Sequence, residues 1–134
     1  MTLDPTAYRN AVDRLTEGVA RYTADPADTE VRDGVIQRFE YTFDLATKML
    51  RRALSDMEDT PGEVDRMSFA AMIRTAWEKG LTSGGYVLWN GYRSDRNKTS
   101  HTYREAIAKE VMEQIPAFLA EARFVLEQIE ALEG

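Results

Sequence analysis

The stretch Arg32-Asp33-Gly34-Val35-Ile36-Gln37-Arg38-Phe39-Glu40-Tyr41-Thr42-Phe43-Asp44-Leu45 decides the fold. Val35, Phe39 and Phe43 recur every four residues, and Ala46, Leu50, Ala53 and Met57 carry the stripe onward. Apolar residues at such intervals mark one face of an α-helix, which Asp28 or Thr29 is placed to cap. Asp33, Gln37, Glu40, Asp44 and Lys48 fall on nearly the opposite face, which reads as solvated, with an Asp44–Lys48 ion pair. Gly34 costs about 1 kcal/mol of helix propensity relative to alanine, so its presence predicts close approach of another helix.

The same period extends in both directions. Asp4-Pro5 opens a preceding helix, with Asp4 as N-cap; its stripe is Tyr8, Val12, Leu15, Val19 and Tyr22, and it stops near Asp25-Pro26. After the turn Asp59-Thr60-Pro61-Gly62 comes a shorter helix with Phe69, Met72, Ile73, Ala76 and Trp77 inward and Gly80 as C-cap. Ser83-Gly84-Gly85 forms a hinge into a helix carrying Tyr86, Leu88, Trp89, Tyr92, Arg93 and Arg96. Trp89 and Tyr92 read as buried or interface aromatics rather than platforms for a nucleobase. The last helix begins after Thr102, with Ile107, Val111, Ile115, Phe118, Ala122, Val125, Ile129 and Leu132 inward and Pro116 expected to interrupt and kink it. No segment alternates with period two. The expected fold is all-α: an antiparallel, up-and-down four-helix-type bundle of about five helices, with a long kinked last helix, in one domain over residues 1–134.

Composition narrows the function. With net charge −6, the chain has no broad electrostatic grip on nucleic acid, so any contact with RNA must be local. Cysteine is absent, which removes disulfides and thiolate metal sites. No apolar run approaches the roughly 20 residues needed to span a bilayer, and the N-terminus lacks a signal-peptide core. A cytoplasmic protein without membrane association is expected.

One stretch stands out chemically. From Arg93 to Arg104 there are four basic residues (Arg93, Arg96, Lys98, Arg104) against one acid, Asp95, and His101 is the only histidine in the chain. On one continuous helix Arg96 and His101 would lie about 140° apart. A break is therefore expected: Asn97 as a left-handed C-cap, then Thr102 and Glu105 as a capping box starting the next helix. His101 would then stand just outside a helix N-terminus that favours an anion such as phosphate, with Arg96 reaching back to pair with it.

Arg96-Asn97, His101 and Tyr103 resemble the motif of the HEPN superfamily: an arginine, a polar residue, a histidine about a turn later, then often a tyrosine two beyond. The stretch Arg32–Leu45 is similar to the signature of the nucleotidyltransferase substrate-binding family, small HEPN proteins usually encoded beside a minimal nucleotidyltransferase. The likeness covers nearly the whole chain, with Thr47 standing where relatives often have an aromatic residue. It also implies that the helix of Arg32–Leu45 lies near the active cleft and partner surfaces, where the polar residues Asp33, Gln37, Glu40, Asp44 and Lys48 could support the motif instead of forming a merely solvated face.

The resemblance implies a metal-independent endoribonuclease of a toxin–antitoxin pair. His101 would act as general base or acid, Arg96 would stabilise charge on the phosphate, Asn97 would position the phosphate or the imidazole, and Tyr103 would donate a hydrogen bond. One histidine cannot be base and acid at once, so the implied enzyme is a homodimer with paired motifs. AMP added to Tyr103 by the nucleotidyltransferase antitoxin would block the cleft. Arg93 and Arg104 are candidates for further phosphate contacts, and no cofactor or metal is expected. The alternative is a non-catalytic substrate-binding or regulatory subunit of a nucleotidyltransferase complex. A third reading makes His101 and Arg96 a purely structural pair.

Overall fold

The computed structural model describes residues 4–57 and 62–133. Five helices follow one another: α1 (Thr6–Ala24), α2 (Thr29–Met57), α3 (Phe69–Glu78), α4 (Tyr86–Lys98) and α5 (Glu105–Glu133). Short 3-10 turns at Val64–Arg66 and Thr99–His101 precede α3 and follow α4, and no strand occurs among the described residues. α1 and α2 pack as an antiparallel hairpin, α5 lies against both, α4 closes the bundle against α5 and α2, and α3 bridges α2 and α4. The fold is the all-α, four-helix-type bundle that the periodicity predicts. No helix among the described residues is long and apolar enough to cross a membrane.

The caps account for the helix boundaries. Asp4 Oδ1 accepts from the Thr6 N–H at 3.0 Å and the Thr6 hydroxyl at 2.7 Å, although Pro5 occupies the N-cap position. Asp28 Oδ1 takes the N–H groups of Glu30 and Val31 at 3.0 and 3.1 Å, satisfying two donors left free at the start of α2. Gly80, with φ +78°, ends α3, and Leu81 N–H closes back onto the Ala76 carbonyl at 2.9 Å. Of the expected turn before α3, Asp59, Thr60 and Pro61 lie outside the described residues, while Gly62 has φ +91°. α5 continues unbroken through Pro116 rather than being interrupted there.

The core is built on aromatic rings. Phe118 of α5 meets Phe39 edge-on at 5.0 Å between centroids, Tyr92 at 5.3 Å and Trp89 at 6.3 Å, and Trp89 in turn meets Tyr92 at 5.7 Å. Trp89 is fully buried, which excludes it as a platform for a base. The stripes of α2 and α5 are buried as predicted except at their ends, where Met57 and Leu132 are exposed and Ile107 is half-buried; Trp77 of α3 is also exposed. The close helix approach lies at a different glycine from the expected one. A Cβ on Gly34 would meet nothing within 4 Å, whereas one on Gly18 of α1 would sit 3.0 Å from a Val35 methyl.

A buried carboxylate, absent from the sequence expectations, fixes the entry to α4. Glu121 Oε1 accepts from the backbone N–H and hydroxyl of Ser83 at 3.0 and 2.9 Å. Its Oε2 accepts from Gly84 N–H at 2.7 Å and the Trp89 indole N–H at 3.3 Å. The sequence signal was an acid on an apolar stripe, three residues after Phe118 and four before Val125. The Ser83-Gly84-Gly85 segment is thus pinned rather than a free hinge.

Candidate functional site

The motif stretch folds differently from its sequence reading. α4 continues through Asn97 to Lys98, and no residue other than glycine has positive φ among the described residues, so Asn97 is an ordinary helical residue and not a C-cap. The chain then tightens into the 3-10 turn Thr99–His101. Thr102 has helical dihedrals, φ −74° and ψ −3°, and its hydroxyl donates back to the Thr99 carbonyl at 3.1 Å. Its expected capping-box partner, Glu105, is engaged elsewhere: Arg32 Nη1 of α2 donates to Glu105 Oε2 at 2.7 Å. The phosphate site expected from a freshly capped helix end is therefore not formed in that way.

Arg96 is held from α2. Its Nε and Nη2 donate to Asp44 Oδ1 and Oδ2, both at 3.0 Å, a bidentate pair of the kind that fixes the guanidinium plane. Glu40 Oε1 lies 3.7 Å from Nη2, and Nη1 reaches the Thr99 hydroxyl at 3.4 Å. That hydroxyl in turn lies 2.8 Å from both Glu40 Oε2 and the Arg96 carbonyl. The hydrogen bonds to Asp44 push the Arg96 pKa up further and lock in its charge. On the polar face of α2 the expected Asp44–Lys48 pair is replaced: Asp44 pairs with Arg96 and Glu40 faces the same guanidinium, although both carboxylates stay partly exposed. The signal available was the four-residue spacing of the two acids, which puts both carboxylates on one side of α2.

His101 and Tyr103 form a separate, outward-facing group. Both are exposed, their rings 6.3 Å apart, and the Arg104 guanidinium lies over the Tyr103 ring at 5.8 Å. Among the described residues neither the His101 ring nor the Tyr103 hydroxyl has a hydrogen-bond partner. Arg93 stacks on Phe69 at 4.9 Å, and Asn97 lines an open groove with Asn90, Arg93, Ser94 and Lys98. Asn97 lies about 100° around the helix from Arg96, so the two side chains point into different surroundings.

The basic character of the stretch largely disappears in three dimensions. Arg96 faces two carboxylates, and Lys98 Nζ lies 3.4 Å from Glu110 and 3.8 Å from the buried Asp95, whose carboxyl pKa is raised by desolvation. Of the four basic residues, Arg93 and Arg104 are the two without a carboxylate partner among the described residues. Those residues contain no group of three or more His, Asp or Glu arranged to hold a metal ion.

Comparison with known proteins agrees with this architecture. The family described as nucleotidyltransferase substrate binding protein like matches residues 3–131. A Haemophilus influenzae protein named probable ribonuclease HepT is 38% identical over 96 residues, 72% of this chain; the match spans 65% of that relative's length. A solved Haemophilus influenzae structure, described as the fold of a substrate binding domain of a nucleotidyltransferase, superposes with a TM-score of 0.89 at 30% identity, over 95% of this chain and 99% of its own. A crystal structure from Thermus thermophilus superposes with a TM-score of 0.74 at 32% identity, over 91% of this chain and 98% of its own. The chain belongs to the nucleotidyltransferase substrate-binding family.

Proposed function

We propose that the chain is a HEPN-type, metal-independent endoribonuclease, the toxin of a cytoplasmic pair whose antitoxin is a minimal nucleotidyltransferase. The observation that carries this reading is the exposure of His101, without a hydrogen-bond partner among the described residues, three residues beyond a helix whose Arg96 has a fixed orientation. An exposed imidazole whose nitrogens are not engaged in that way is available for proton transfer. The relative named probable ribonuclease HepT supports the same assignment.

Cleavage needs a base to remove the 2'-hydroxyl proton and a cation for the charge on the non-bridging oxygens. The 2'-oxygen then attacks phosphorus, the bond to the 5'-oxygen breaks, and an acid protonates the leaving group, giving a 2',3'-cyclic phosphate and a 5'-hydroxyl. His101 serves as base in one protomer and acid in its partner, because each chain has one histidine. A homodimer is therefore part of the proposal. Arg96 has two of its five donors on Asp44 and one weakly on Thr99, which leaves N–H groups for a phosphate oxygen. Asn97, Arg93 and Arg104 are candidates for contacts along the RNA backbone. Tyr103, 76% exposed, is open to AMP transfer by the nucleotidyltransferase, and the added anion would repel RNA beside His101.

The second reading, a non-catalytic substrate-binding subunit of a nucleotidyltransferase complex, is favoured by a different observation. Arg96 is already matched by Asp44 and Glu40, so the charge around it is net negative and poorly suited to RNA. Incubating the purified protein with mixed RNA in EDTA, beside His101→Ala and Arg96→Ala, separates the two. Cyclic-phosphate products from wild type alone support the ribonuclease; no cleavage by any of the three, with Tyr103 unmodified by mass spectrometry, supports the binding subunit.

A further inference from the structure

α2 touches the motif at two places, one on each side of His101. At the first, Glu40 Oε2 meets the Thr99 hydroxyl at 2.8 Å, next to the Asp44–Arg96 pair. At the second, the buried Arg32 guanidinium donates to Glu105 Oε2 at 2.7 Å and also contacts Asp33 at 3.3 Å. Arg32, Glu40 and Asp44 lie within an arc of about 120° on α2 and span about 18 Å of its length. Between the two anchors the chain is held by short-range bonds, among them the Thr102 hydroxyl to the Thr99 carbonyl and Arg104 N–H to the His101 carbonyl, both at 3.1 Å.

We propose that Arg32 and Glu40 are positioning residues that clamp the two ends of the segment Thr99–Glu105 and so set where the His101 imidazole stands relative to Arg96. Among the described residues the His101 and Tyr103 side chains have no hydrogen-bonded anchor of their own, so the backbone must carry their placement. A buried guanidinium is costly unless paired; Asp33 meets one side of it from α2 itself, and Glu105 makes its shortest ion pair, which ties the first residue of α5 to α2. The Arg32–Glu105 hydrogen bond raises the one pKa and lowers the other, so both groups stay charged across the neutral range. The consequence for RNA rests on the ribonuclease assignment above. The clamp itself does not.

The single histidine makes the test direct, since the protein has one imidazole signal in NMR. Glu105→Ala and Glu40→Ala are compared with wild type, with the acceptor-retaining Glu105→Gln and Glu40→Gln, and with Glu130→Ala. Glu130 pairs with Arg9 at 2.9 Å near the opposite end of α5 and serves as a control for loss of an interhelix ion pair. Both alanine variants at positions 105 and 40 should shift or broaden the imidazole signal and speed amide exchange at positions 101–104. They should lower kcat about tenfold with little change in KM, as misplacement of a reacting group does. The glutamine variants should recover most of each effect, and Glu130→Ala should show none. Imidazole signal and exchange unchanged in both alanine variants would overturn the clamp. If they change while wild type cuts no RNA, the clamp stands and the ribonuclease assignment falls. If wild type cuts RNA and kcat is unaffected in both variants, the clamp has no role in positioning for catalysis.

Discussion

Asp44 holds Arg96 by two parallel hydrogen bonds, both 3.0 Å long, between helices 52 positions apart in sequence. The pair is partly exposed, at 54% and 29% of the two side chains, so its net stabilisation is about 0.2 to 1 kcal/mol. Its larger effect is geometric: the guanidinium plane cannot turn while both bonds persist.

Asp44→Asn should therefore separate stability from activity. The melting temperature should fall by only a few degrees, about what a change under 1 kcal/mol produces in a domain of this size. RNA cleavage, on the proposed reading, should fall about tenfold because the asparagine amide cannot offer two equivalent acceptors. Calorimetry and a cleavage assay on the same preparation check this; a large melting shift with proportionate loss of activity would make Asp44 merely structural.

Glu105 gives a pH dependence with a definite sign. The Arg32 hydrogen bond holds its folded pKa below the unfolded carboxylate value of about 4.3. Its stabilisation is therefore complete above that unfolded value and is lost as pH falls through the folded one. The melting difference between wild type and Glu105→Gln, which cannot titrate, should be constant near neutrality and shrink in acid. A difference that grows in acid would contradict the pairing.

Gly34 and Gly18 should respond differently to alanine. Gly34→Ala adds a Cβ where nothing lies within 4 Å and should stabilise the fold by about 0.5 to 1 kcal/mol. Gly18→Ala places its Cβ 3.0 Å from the Val35 methyl and should lose that gain to overpacking. Urea unfolding of the two variants gives the comparison.

Glu121→Ala should be among the costliest single changes. It leaves the Gly84 N–H and the Trp89 indole N–H without their acceptor in the interior, and the part-buried Ser83 N–H and hydroxyl without theirs nearer the surface. At about 1 to 3 kcal/mol for each buried donor, the loss is on the order of 3 kcal/mol or more, read as a lower urea midpoint. Glu121→Gln keeps one carbonyl acceptor and should fall between.

The sequence by itself determined the helices, their inward faces and most of their ends. A 3.6-residue period, an aspartate at the start of α2 and a glycine after α3 are local signals whose meaning does not depend on the rest of the chain. Tertiary structure decided whatever depended on a competing partner. Thr102 and Glu105 have the spacing of a capping box, yet the buried Arg32 offers Glu105 a charge-assisted bond that a backbone N–H cannot match. Asp44 has Lys48 one turn away, yet Arg96 supplies two donors in a rigid fork. Gly34 reads as a close contact from its cost in a helix, but which glycine meets a neighbour depends on how α1 crosses α2. Glu121 shows the same rule in the core, where a carboxylate on an apolar stripe is stable only because Ser83, Gly84 and Trp89 fold onto it. Local spacing fixes which partners a side chain can reach within its own helix, whereas packing brings stronger partners from 32 to 73 residues away and the stronger bond prevails.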